Sequence, residues 1–254
     1  MVLTIDIGNS NIVLGVFEGE DLRLTLRIKT DATRTADEYM ISLNSMLRLK
    51  NIDISDIDGA IISSVVPNLT PAIKDAVTAL IGVPPMVVGP GVKTGLDIKI
   101  DNPSQLGCDM VVDAVCASHY YGAPLIVIDM GTATTFSAIG KNGEYLGAAI
   151  APGVRLSMNA LASGAAQISQ IGIESPSKTI GTNTQDAVKS GIVLGCASMV
   201  DGICERMEKE IGAPCKVVAT GGLSKIVVPL CKHEICIDED MLLKGLMLIY
   251  EKNS

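Results

Sequence analysis

Three turns in the sequence carry the residue types that phosphate chemistry uses. The first reads Asp6-Ile-Gly8-Asn-Ser-Asn11, the second Asp129-Met-Gly131-Thr-Ala-Thr-Thr135, the third Ala219-Thr-Gly221-Gly222-Leu-Ser. In the first two, glycine lets the backbone approach a ligand closely, and the amides that follow can point at an anion. Each aspartate stands where an apolar run ends, and a carboxylate there can hold a hydrated cation that neutralises phosphate charge. Ser10, Thr132, Thr134 and Thr135 offer hydroxyls to phosphate oxygens. One Asp-x-Gly turn alone is most often an ordinary hairpin. Two copies on equivalent elements argue for function. The two glycines of the third turn can let a base and ribose lie against bare backbone, although alone it reads as another strand-to-helix turn.

The elements that must position these turns occur twice. An apolar run from Leu3, the turn and a returning apolar run predict a β-hairpin, and Leu125 to Phe136 repeats the pattern. After the first hairpin, Leu22 to Ile28 reads as a third strand. Thr35-Ala-Asp-Glu38 is a capping box opening a helix to about Lys50, with Met40, Leu43 and Leu47 on one face. Gly59 to Val66 reads as a strand, Pro71 to Leu80 as a helix and Met86 to Val88 as a short strand. After the second hairpin come a strand at Tyr145 to Ile150, a helical region over Gln185 to Glu210 and a strand at Lys216 to Ala219. A helix at Leu223 to Leu230, a strand at Glu234 to Ile237 and a helix at Glu239 to Glu251 complete the chain. Strand-strand-strand-helix-strand-helix-strand, twice, predicts an α/β protein of two lobes with a cleft between them. The expected division is 1–120 and 121–254, after a helix from about Ser104 to His119.

Composition narrows the function classes. With 48% apolar and 19% charged residues, the chain of 254 can bury a sizeable core. Its formal charge of −8 repels phosphate backbones, and 3% aromatic residues without tryptophan supply little for base stacking, so no nucleic-acid partner is expected. The longest charge-free stretch, Leu156 to Ile173, is interrupted by serine, glutamine, asparagine and glycine, so no membrane-spanning run is expected. No basic region precedes the first apolar run, so no signal peptide is expected and the predicted location is the cytoplasm. Seven cysteines without a C-x-x-C pair read as small core residues.

The three turns resemble the two phosphate motifs and the adenosine motif of the acetate kinase, sugar kinase, actin and heat-shock chaperone superfamily. More narrowly, the chain resembles the type III pantothenate kinases. Ser63-Ser-Val-Val-Pro67, Val88-Gly-Pro-Gly91-Val-Lys-Thr-Gly-Leu96, Asp101-Asn-Pro103, Pro152-Gly153 and Gly181-x-Asn-Thr184 extend the likeness over the whole length. The resemblance implies two duplicated ribonuclease H-like lobes, mixed sheets flanked by helices, with an ATP cleft between them. It implies ATP-dependent phosphorylation of pantothenate to 4′-phosphopantothenate, the first step of coenzyme A biosynthesis. It further implies Mg²⁺, a monovalent cation (potassium or ammonium) near Asp129, and a homodimer. Carried over by position, Asp6, Ile7, Gly8, Asn9, Ser10, Asn11, Ile12 and Val13 would cradle the ATP phosphates, with Asp6 acting through the magnesium nucleotide. Thr132, Gly221 and Gly222 would also contact ATP, and Asp109 would be the general base. Gly107, Cys108, Asp109, Met110, Ile100 and Thr184 would line the pantothenate site. Asp113, one helical turn after Asp109, reads as a solvated or capping charge.

The chain departs from the family pattern near the acceptor. The usual Gly-x-Asp-Arg reads Gly107-Cys108-Asp109-Met110, a usual tyrosine is Ile100, and a usual Ser-Arg-Ala-Ala reads Ser163-Gly164-Ala-Ala. The missing arginine is expected to hold the pantothenate carboxylate, a charged contact of roughly 1.5–3 kcal/mol. Arg155 stands where an apolar residue is expected and can restore the charge, although as a residue it reads more readily as a surface arginine. Two other readings therefore stand beside the first: a kinase of the same fold for another small hydroxyl acceptor, and a non-catalytic nucleotide-binding regulatory homologue.

Overall fold

The computed structural model describes residues 1–164 and 171–254. In chain order the elements are strands β1 (Val2–Ile7), β2 (Asn11–Glu18) and β3 (Asp21–Lys29), helix α1 (Ala36–Leu49), strand β4 (Gly59–Ser64), helix α2 (Thr70–Ile81), strand β5 (Met86–Val87) and helix α3 (Cys108–Tyr121). Then follow β6 (Leu125–Met130), β7 (Ala133–Ile139), β8 (Tyr145–Pro152), α4 (Val154–Gly164), α5 (Thr184–Lys189), α6 (Gly195–Ile211), β9 (Lys216–Thr220), α7 (Ser224–Val227), β10 (Ile235–Ile237) and α8 (Met241–Asn253). A π-helical stretch, Ser190–Leu194, joins α5 to α6.

The duplication is visible in the sheets. One has the order β3-β2-β1-β4-β5, the other β8-β7-β6-β9-β10. In each, the first strand pairs antiparallel with its hairpin partner and parallel with the strand that follows the first crossover. The carboxyl ends of β1 and β4, and of β6 and β9, therefore lie side by side, which is where ligands bind in open α/β sheets.

By internal contact the chain forms two compact units. One contains Met1–Gly95, Ser104–Cys116 and Met241–Ser254; the other contains Leu96–Pro103 and Ala117–Asp240. The expected single division after residue 120 is thus replaced by an interleaved one. The last helix returns to the first unit: α8 packs on β1 and β4, with Tyr250 lying over Gly59 and Gly245 drawn against the Val112 backbone. Two bonds of 2.9 Å join Asn253 to the Lys93 backbone and fix the end of α8.

In the first unit, Leu3, Ile5, Ile7, Ile12 and Leu14 project to one face and are covered by α1 and α2 through Leu43, Leu47, Ile73 and Val77. The capping box forms as expected, Thr35 and Glu38 satisfying each other's backbone N–H groups. In the second unit, Ile126, Ile128, Phe136 and Ala219 pack against Val193, Cys196, Val200 and Cys204. The helical run Thr184–Ile211 is long and apolar enough to cross a membrane by length and composition, contrary to the expectation of no such run. Its apolar face is the one packed on this sheet. Cys116, Cys196 and Cys204 are buried as expected, but Cys108, Cys215 and Cys231 are only partly so and Cys236 is exposed.

Candidate active site

The first turn closes where β1 meets β2. Asp6 pairs with Val13 and, across the parallel side, with Ser63. Gly8 N–H donates to Asn11 O at 3.0 Å, so the turn is tight and a Cβ on Gly8 would lie 3.1 Å from that oxygen. Asn9, Ser10 and Asn11 are exposed, whereas the Ile7 and Ile12 side chains belong to the core, so those two can meet a ligand only through backbone. The end of β3 braces the turn: Thr30 N–H donates to Ser10 O at 3.1 Å and Thr30 Oγ1 to Gly8 O at 2.6 Å. The next corner is held by the buried Tyr39, whose hydroxyl donates to Asp31 O at 2.8 Å and accepts from Asp31 N at 3.1 Å.

Beside this turn starts α3, four residues later than expected because Pro103–Gln105 form a separate 3-10 turn. Its first residue is stitched to the end of β4. Cys108 Sγ donates to Ser64 O at 2.9 Å and accepts from Ser64 N at 3.2 Å and Ser63 Oγ at 3.3 Å. Burial pushes the Cys108 thiol up, and the negative charges of Asp109 and Asp6 add to the effect, so these carboxylates flank one thiol. Asp109 Oδ1 accepts from Met110 N at 2.8 Å, and the space a Gly107 side chain would need is taken by that oxygen. Burial raises the Asp109 carboxyl above its ordinary value, the direction that suits a base working near neutral pH. The Met110 side chain is 7% exposed and has no donor. Asp113 departs from its expectation: it is 3% exposed, on the inward face of α3, and is not a solvated charge.

The second turn repeats the geometry with a different neighbour. Asp129 pairs with Thr135 and, on the parallel side, with Thr220. Thr132 is exposed, and its carbonyl accepts from Gly153 N at 3.1 Å, which ties the turn to the end of β8. After Thr220 the chain needs a residue without a side chain. Gly221 has φ of +91°, and a Cβ there would lie 2.6 Å from Met130 N and against Asp129 Oδ1. Ser224 caps the turn, its Oγ donating to Gly221 O at 2.8 Å, and Gly222 faces open space. Asp129, Gly131 and Gly221 thus form one cluster, with Thr132 beside it.

The remaining expected residues lie on other elements. Thr184 is exposed at the start of α5, where Asn183 caps the helix by accepting from Asp186 N at 2.9 Å. It borders a cleft of about 590 Å³ lined also by Gly181, Asn183, Val188 and Ile192. Ile100 is half-buried in a segment held to β8 by a bond of 2.8 Å from Lys99 N to Tyr145 O. Arg155 is exposed in the first turn of α4, and Ser163 and Gly164 end that helix. Ala165 and Ala166 lie outside the described residues. Thr30, Tyr39 and Gly153 support the turns but were not among the expected site residues. The hydrogen bonds that give them this role join residues 20 or more apart or depend on a helix packing on a sheet.

Among the described residues, no group of three or more His, Cys, Asp or Glu is arranged to hold a metal ion by itself. A hard cation carried by a polyphosphate is a different case, because it needs only one or two carboxylates beside phosphate and water oxygens. Asp6, with one carboxylate oxygen buried at the turn, and the half-buried Asp129 both fit that requirement.

A family model described as type III pantothenate kinase matches residues 2–206. The chain belongs to the type III pantothenate kinases. Membership makes it a phosphotransferase. The type III pantothenate kinase of Moorella thermoacetica is 42% identical over 254 residues, covering the whole of both chains. That of Halalkalibacterium halodurans is 44% identical over 253 residues, again covering both. Solved structures of low identity share the fold. Component A of (R)-2-hydroxyglutaryl-CoA dehydratase from Acidaminococcus fermentans superposes with a TM-score of 0.57 at 16% identity, covering 98% of this chain and 96% of that one. MreB 5 of Spiroplasma citri bound to AMPPNP gives a TM-score of 0.55 at 11% identity, over 99% and 96%. The chain thus shares with these proteins the fold of two mixed sheets flanked by helices.

Proposed function

We propose that this protein transfers the γ-phosphoryl group of ATP to the 4′-hydroxyl of pantothenate, the first step of coenzyme A biosynthesis. The observation that carries the reading is the full-length match to relatives named for that activity. The geometry supports it residue by residue. Thr30 holds the carbonyls of Gly8 and Ser10 and so fixes a tight, exposed turn of the kind that cradles phosphate oxygens. Asp109 takes the acceptor's proton as the phosphoryl group departs, and the Cys108 stitch to β4 keeps that carboxylate beside Asp6. Asp6 would hold Mg²⁺ with the nucleotide, and the bound ion would neutralise charge on the β- and γ-phosphates. Asp129 would hold a monovalent cation, Thr132 would contact the phosphates, and Gly222, in the open space after the Gly221 turn, would leave room for the nucleoside.

Two further assignments belong to this reading. A homodimer is supported by β8, an edge strand whose outer positions Leu146, Ala148 and Ile150 are exposed. The requirement for ATP supports a cytoplasmic location. One observation favours a second reading, a different small hydroxyl acceptor: Met110 offers nothing to a carboxylate.

Asp109→Asn tests the mechanism. An amide cannot take the hydroxyl proton, so kcat is expected to fall by about 10²–10⁴-fold while ATP affinity holds. In wild type, kcat/KM falls as pH drops through the raised Asp109 pKa, because the protonated acid accepts nothing. That acid limb disappears in the variant. Full activity in Asp109→Asn removes the base from this role.

A further inference from the structure

Strand register puts two cations beside the first turn. Arg27 pairs with Val13, and Val13 pairs with Asp6. Directly opposite residues project to the same face of a sheet, so Arg27, Val13 and Asp6 form one row. Lys29 pairs with Asn11, the first residue of β2 after the turn, and lies two positions further along the same face. Helix α8 covers that face from Phe17, Val2 and Leu22 as far as Val13, the middle of the row, through Leu243 and Met247. The end bearing Arg27 and Lys29 stays exposed.

Neither cation forms a salt bridge among the described residues. Arg23, on the same strand, is bound to Glu18 at 3.2 Å, and the field of Lys29 is shared with Asp31. Two carboxylates, Asp6 and Asp109, stand near the turn in a chain of net charge −8. A polyphosphate approaching that end meets repulsion unless cations offset it. Strands are about 4.8 Å apart, so the row places Arg27 roughly 10 Å from Asp6, and an extended arginine spans much of that gap. Its planar fork can hold two phosphate oxygens at once, which a lysine cannot do.

We infer that Arg27, assisted by Lys29, binds the polyphosphate chain of the nucleotide held at the first turn. This rests on the kinase reading above, and the test separates the two. MgATP dissociation constants are measured by calorimetry for the full-length wild type, Arg27→Gln, Lys29→Gln and Arg23→Gln. Arg27→Gln is expected to weaken binding about ten-fold or more, as for loss of a charged hydrogen bond. Lys29→Gln loses less, and Arg23→Gln matches wild type. Arg27→Gln binding as tightly as wild type overturns the inference and leaves the kinase reading standing. A wild type that binds no MgATP overturns the kinase reading, and the inference with it.

Discussion

The two Asp-x-Gly turns share one scaffold and differ in what stands next to it. Asp6 and Asp129 occupy equivalent positions, each on the central strand of its sheet, opposite the returning strand and beside the first crossover strand. Next to Asp6, β4 ends in Ser63 and Ser64, and these grip Cys108 so that α3 brings Asp109 alongside. Next to Asp129, β9 ends in Gly221, and the missing side chain leaves room for the Asp129 carboxylate and the Met130 backbone. Duplication supplies two similar turns; the residues after the neighbouring strand decide whether a turn gains a carboxylate or a bare backbone wall. On the proposed function, the first turn would serve phosphoryl transfer and the second the nucleoside and a monovalent cation.

The largest effect is expected where the second turn has no slack. Gly221→Val puts a β-branched side chain in the left-handed region, at roughly 1–2 kcal/mol, and against Asp129 and the Met130 backbone, at roughly 1–3 kcal/mol more. ATP binding should fall by about a hundred-fold or more. Gly222→Ala, in open space, should bind normally and controls for general damage. Calorimetric titration with MgATP compares the two, and normal binding by Gly221→Val would break the assignment of the second turn.

The next effect separates the two carboxylates. Asp6→Ala should weaken MgATP by about ten- to a hundred-fold and flatten the magnesium dependence of turnover. Asp129→Ala should instead lose the stimulation by potassium. Titrating each cation against initial rate in both variants sharpens the comparison. Identical responses would mean that the two turns are not specialised.

The smallest effect concerns the acceptor carboxylate, whose expected arginine is absent beside Asp109. If Arg155 supplies that charge, Arg155→Ala raises the pantothenate KM by about ten-fold. Met110→Arg then gains little. A ten-fold tighter pantothenate KM in Met110→Arg, with no change in Arg155→Ala, would give the contact to position 110 instead.

Much of this was legible in the sequence because it is written in short-range patterns. Alternating apolar runs gave the hairpins, and Thr35 with Glu38 gave the start of α1 within a single turn of helix. Helix α4 was not expected, since only Val154 and Met158 of its eleven residues are buried and its serines, asparagine and glycine dilute the periodicity. The return of α8 to the first unit depends on Tyr250 meeting Gly59 and on Gly245 meeting Val112, contacts more than a hundred residues long. Asp113 departs from its pattern for a similar reason: an aspartate reads as solvated, and only the packing of α3 buries the face that carries it. At the site, the turn residues were legible as types and spacing. Their bracing by Thr30 and Gly153 was not, because neither belongs to the motif it holds.

The most direct test of the central claim is to identify the product. Purified protein is incubated with ATP, Mg²⁺, potassium and pantothenate, and the mixture is resolved by mass spectrometry alongside a panel of small hydroxyl compounds. Phosphorylated pantothenate, formed in step with ADP and in preference to the other acceptors, is the predicted result. ADP released with no phosphate on pantothenate, or phosphate carried by another acceptor instead, would contradict it.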